Sequence, residues 1–137
     1  MEIAGSESLA SYILPIFFSI FWSVLFLQSG LDKLINWSGN LEWLTGHFSK
    51  SFFSSSVSFL LFFLTSSELA AGFFSAVGIV WYLGFKSVLV CQIGSILSCI
   101  SLLMLFLGQR VAKDYPGAAS LVPYFLVAMV NLWVLSH

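Results

Sequence analysis

Four long stretches of this chain carry no charge or almost none: residues 8–31, 51–85 interrupted by Glu68 alone, 87–109, and 115–137. A helix rises about 1.5 Å per residue, so roughly 20 apolar residues cross the hydrocarbon core of a bilayer. Helices are therefore expected near residues 12–31, 55–82, 88–108 and 119–136. The second window is longer than a span requires, which a tilt would absorb, or its early serines, Ser54, Ser55, Ser56 and Ser58, belong to the interface. Of the 137 residues, 59% are hydrophobic and only 8% charged. A soluble domain of this size buries only about two-thirds of its chain surface and would leave much of that apolar area in water. A membrane barrel would need alternating faces, and the run Leu102-Leu103-Met104-Leu105-Phe106-Leu107 has no period of two. The expected fold is an all-α membrane protein: four transmembrane helices in an up-and-down bundle, a single domain over residues 1–137 with no repeat or linker.

Five Lys and Arg against six Asp and Glu give a net charge of −1. That leaves no basic surface for nucleic acid. The opening residues carry Glu2 and Glu7 but no cation, unlike a cleavable signal peptide, so the first span is expected to be retained. Lys33, Lys50, Arg110 and Lys113 fall in the first and third connections and Lys86 in the second. The positive-inside rule then puts those two connections in the cytoplasm and both termini outside it.

The first connection, about residues 37–49, is not a plain loop. Trp37, Leu41, Leu44 and Phe48 recur at helical spacing, while Asn40, Glu42, Thr45 and Lys50 lie off that stripe. A short interfacial helix between the first two spans follows, lying on the membrane surface or folded back on the bundle, with Trp43 at headgroup level. An irregular loop dipping its aromatic residues into lipid is the alternative.

Glu68 is the sharpest chemical signal. A charge near the bilayer centre costs about 3 kcal/mol or more, so it is expected to be protonated, paired or turned into the bundle. Leu64, Thr65, Ala71, Gly72, Ser75 and Ala76 share its face, and this mostly small surface permits close helix approach. Phe62, Phe63, Phe73 and Phe74 suit other faces. Partners at comparable depth are Gln92, Ser95, Ser98 and Asn131, with Gln28 on the first helix a further polar candidate. A proton relay, a hydrogen bond to a quinone headgroup and a purely structural interhelical bond all remain open for Glu68.

Cys91 and Cys99 stand roughly 12 Å apart along one helix, beyond the reach of a disulfide, and read as small packing residues. Two Cys and two His are too few for a four-ligand zinc site. His47 and His137 lie outside the expected spans, so no haem ligation within the bundle and no metal site is expected. Trp81, Tyr82, Tyr124 and Trp133 fall near helix ends, where aromatic belts form. Pro116 and Gly117 mark a turn before the last helix. Pro15 and Pro123 sit early in their helices, where N–H groups lack partners anyway.

The segment Gln28-Ser29-Gly30-Leu31-Asp32-Lys33 resembles the Gly-x-x-Lys signature of DoxX-like membrane proteins, and Glu68 followed by Gly72 resembles their second-helix pattern. The four-helix layout and the Asp114-Tyr115-Pro116-Gly117 stretch fit the same family. The resemblance makes Gly30, Lys33, Glu68 and Gly72 the family-pattern residues and implies a bacterial inner membrane. The chain lacks the Arg with which many members begin their first helix. Family roles include subunits of thiosulfate–quinone oxidoreductase and of other membrane redox or thiol-homeostasis complexes.

The function expected first is a non-catalytic accessory or assembly subunit of a larger membrane complex, or a homo-oligomer. The second is a quinone-interacting oxidoreductase component, with Glu68 and Gln28 or Gln92 at the headgroup. No covalent or metal-ligated cofactor is expected, only a quinone or lipid. A small transporter finds little support, since one acidic residue and no paired broken helices make a poor permeation path.

Overall fold

The computed structural model describes residues 8–51 and 53–136. It consists of helices α1 (Leu9–Ile35), α2 (Trp37–His47), α3 (Val57–Phe85), α4 (Leu89–Val111), α5 (Tyr115–Ser120) and α6 (Val122–Leu135). α1, α3 and α4 are each long and apolar enough to cross a bilayer, and α5 with α6 forms the fourth such span, Tyr115–Leu135. The chain is an integral membrane protein with four packed spans and a short helix between the first two. Only 22% to 39% of each span is buried inside the protein, so the larger part of every helix surface is left for lipid. Phe62, Phe63 and Phe73 are on that outer surface, as their position off the Glu68 face requires.

Close approach of backbones sets the register. A Cβ on Gly72 would lie 2.8 Å from Leu27 N, and one on Gly94 would lie 2.8 Å from Ser75 N. Any larger residue would push α3 off α1 or α4, and it is such contacts that replace the hydrophobic effect as a packing force in lipid. The pairs Leu27 with Gly72 and Gly30 with Leu69 run in opposite senses, so α1 and α3 are antiparallel. α3 and α4 form a tight hairpin. Lys86, at φ 54, ends α3 in the left-handed region and donates its N–H to Tyr82 O at 2.8 Å. A cation there complements the negative end of the helix dipole.

Three local expectations are corrected. The Pro116–Gly117 stretch is not a turn but the first turn of α5, with Asp114 accepting from Gly117 N at 3.0 Å as its cap. The last span thus begins earlier than residue 119, as two helices in succession, and Pro123 keeps its expected place in the first turn of the second, α6. The proline ring conflicts with the carbonyl four residues back, and the helix breaks at Leu121 and restarts. Pro15 lies deeper than a first turn, because α1 starts at Leu9 under a Ser8 cap. Finally, Tyr82 is no belt residue. It is buried, and its hydroxyl donates to Tyr12 O at 2.8 Å, tying α3 to α1.

Candidate functional site

Glu68 lies in the middle third of α3 and is 1% exposed. Its partner is Lys33, from the last turn of α1, with Nζ 2.8 Å from Glu68 Oε1. Ser29, one turn before Lys33, completes a triangle: its hydroxyl donates to Glu68 Oε2 at 2.8 Å and accepts from Lys33 Nζ at 2.8 Å. Helix geometry brings these groups together. Side chains lean toward the N-terminus of their own helix, so on antiparallel α1 and α3 the Lys33 stem leans inward while Glu68 leans outward to meet it. Lys33 therefore reaches into the bundle instead of snorkelling to the interface. The flanking contacts at Gly30 and Gly72 hold the two backbones close enough for the pair to form.

Beside this triangle lies a cavity of about 310 Å³. Its roof is α2, its walls are the start of α3 (Val57, Leu61, Leu64) and the end of α4 (Met104, Leu105, Gly108), and its polar lining is Lys33, Asn40, His47 and Gln109. Leu44 and Phe48, from the inward stripe of α2, line it, whereas Trp37 and Leu41 of the same stripe are half-buried elsewhere under the helix. The roof is pinned. His47 Nε2 is hydrogen-bonded to Gln109 Oε1 at 3.0 Å and lies 3.7 Å from Asp114 Oδ2. Trp43 stacks on the His47 ring at 4.6 Å and is otherwise exposed. Lys33 lines the cavity and Glu68 does not, so a molecule inside would meet the ammonium first.

The remaining polar residues singled out in the sequence occupy other places. Asn131, fully buried on α6, accepts at Oδ1 from Trp22 Nε1 (2.8 Å) and from Ser95 Oγ (2.7 Å), clamping α1, α4 and α6 together. Gln92 donates to Leu135 O at 2.8 Å and closes the end of α6. Gln28 is exposed, on an outer groove with Phe17, Phe21 and Tyr124. Neither glutamine is brought to Glu68. Cys91 donates to Gly78 O at 3.3 Å and receives the Ser19 hydroxyl at 3.4 Å, Cys99 sits in the main apolar cluster, and both thiols are free. Among the described residues no three His, Cys, Asp or Glu side chains gather as metal ligands. His137 lies outside them.

Sequence reasoning looked to Gln92, Ser95, Ser98, Asn131 and Gln28 around Glu68 and missed Lys33 as its partner. The signal was present, since Lys33 stands in the last turn of the neighbouring span α1, but its side-chain direction had to be considered. Trp22 and Ser29 were also missed. A Trp or Ser in an apolar helix carries no mark that distinguishes a buried donor from a lipid-facing one. Comparison with protein-family models, with curated proteins and with solved structures finds no match for the chain.

Proposed function

We propose that this membrane protein provides a binding compartment for an amphiphile of the quinone or lipid class, and that it does so as a non-catalytic, DoxX-like subunit of a larger membrane complex. The observation that carries the reading is the cavity under α2. About 310 Å³ lies within the range of small-molecule sites, and apolar walls with a few convergent polar groups are their usual construction. Lys33 can donate to a carbonyl, carboxylate or phosphate oxygen, while Leu61, Leu64 and Leu105 suit a tail. In this reading the headgroup contact is Lys33, and Glu68 acts behind it by holding the ammonium in place. The family resemblance enters here because Gly30, Lys33, Glu68 and Gly72 meet at one helix contact beside the compartment.

Photo-crosslinking tests the proposal. A lipid and a quinone, each carrying a diazirine on the tail, are offered to the protein in nanodiscs, and adducts are mapped by mass spectrometry. Saturable labelling of the Leu61, Leu64 and Met104 region, competed by the unlabelled compound, is the expected result. Labelling spread over the outer faces without competition would overturn it.

A further inference from the structure

Resting on the amphiphile reading, we propose that the compartment's ligand carries an acidic headgroup of the long-chain carboxylate class, that it takes the Lys33 ammonium from Glu68, and that Glu68 takes up one proton from solution in exchange.

An ammonium has three donors; Lys33 gives one to Ser29 Oγ and turns another toward Glu68 Oε1 as an ion pair at 2.8 Å, which is not aligned as a hydrogen bond and leaves Oε1 without a hydrogen-bond partner among the described residues. The third has no acceptor among the described residues, and Lys33 is the one charged side chain on the cavity lining. An anionic headgroup is the chemistry that uses both the free donor and the charge.

Charge balance gives the second step. Lys33 and Glu68 are neutral as a pair, so a carboxylate entering beside them leaves one uncompensated negative charge in an apolar site. Two carboxylates sharing one ammonium at this range cannot both stay ionised, and the more buried one is neutralised. That one is Glu68, which is 1% exposed and lies off the cavity lining, whereas a headgroup at Lys33 sits in the open cavity. The step balances as ligand carboxylate plus the Lys33–Glu68 ion pair plus one proton giving a ligand–Lys33 ion pair and a neutral Glu68 carboxylic acid. Ser29 accommodates the change, because its hydroxyl donates to the Glu68 carboxylate now and can accept from the protonated acid afterwards.

The surroundings leave Glu68 as the proton acceptor. α1 presents Lys33 to it, while Asp32 is exposed at the helix end. The sole charge on α4 is Arg110, which lies over the Tyr115 ring, and Cys99 is the only thiol on that helix near this level. α6 contains no charged residue. His47, on α2, is the other titratable group on the cavity lining, held by Gln109 and Asp114, and it needs its own control.

The experiment is titration calorimetry of the whole protein in nanodiscs, in two buffers of different ionisation enthalpy, so that the difference in heat counts protons. The probes are tetradecyl sulfonate, which stays ionised, its neutral twin tetradecanol, and a neutral short-tail quinone. The sulfonate is expected to bind at least about tenfold more tightly than tetradecanol, with uptake of about one proton per ligand. In Glu68→Gln the sulfonate still binds and the uptake falls to near zero, in Lys33→Gln the preference for the anion is lost, and in His47→Gln the uptake is retained. Sulfonate binding by the wild-type protein without proton uptake overturns the inference even if Glu68→Gln fails to fold. So does uptake that survives in Glu68→Gln, or preference for tetradecanol or the quinone, and both of these leave the amphiphile reading standing. Failure of all three probes to bind overturns that reading as well.

Discussion

Two polar clusters sit inside this bundle, about 9 Å apart along its axis, and they are built differently. Around Asn131 everything is neutral: a Trp and a Ser donate to one amide oxygen, three helices are joined, and none of these side chains lines the compartment under α2. Around Glu68 an ion pair joins a buried carboxylate to a part-buried ammonium, the ammonium lines a cavity, and the roof above is a separate short helix. Neutral hydrogen bonds are enough to hold spans together in lipid. A buried ion pair is a poor way to gain stability, because desolvation offsets most of its attraction. The proposed function gives assembly to the Asn131 cluster and ligand chemistry to the Glu68 cluster, and this contrast is what supports that division.

The largest effect that can break this comparison is expected at Lys33. Lys33→Met strands the Glu68 carboxylate and should destabilise the bundle by about 3–5 kcal/mol, whereas Lys33→Met with Glu68→Leu should recover most of the loss. Reversible unfolding in mixed micelles measures both. A double variant as unstable as the single one would mean that the pair is structural after all.

Next is helix approach. Gly72→Ala puts a Cβ 2.8 Å from a backbone nitrogen that cannot swing aside, and should cost about 1–3 kcal/mol by the same assay. Because Gly72 supports the α1–α3 contact, the variant should weaken ligand binding too. Asn131→Leu is expected to be milder, about 1 kcal/mol, since it removes two hydrogen bonds but also the buried Nδ2, which has no partner among the described residues. Its ligand binding should be unchanged, which sharpens the distinction between the clusters. The smallest change belongs to the roof. His47→Ala should cost under about 1 kcal/mol yet speed hydrogen exchange of the α2 amides, with α3 and α4 amides unaffected.

How much of this was legible in the sequence follows from the same physics. Spans were readable because lipid imposes a length on charge-free runs, and the α2 stripe of Trp37, Leu41, Leu44 and Phe48 was readable because an interfacial helix has a wet side. Glu68 stood out because charge is costly there. Its partner did not, since lipid is as apolar as the packed interior and apolar pattern alone does not fix how each span is rotated. Register came from small residues such as Gly72 and Gly94, whose neighbours only a structure names. Asn131 was visible as a buried amide, but Trp22, its donor, looked like any other aromatic residue. The break at Leu121 was hidden because Pro123 acts as a breaker only once the helix is known to begin at Tyr115.

The most direct test of the central claim is native mass spectrometry of three forms released from their own membrane in the mildest detergent that extracts them: wild type, Gly108→Leu and Asn131→Leu. Gly108 lines the cavity, and a Cβ there would meet only the Phe48 ring, at 3.4 Å, so a leucine can fill the space without displacing backbone. The account expects a stoichiometric amphiphile on the wild type and on Asn131→Leu, and its loss from Gly108→Leu. An amphiphile retained equally by all three, or found on none, would contradict it.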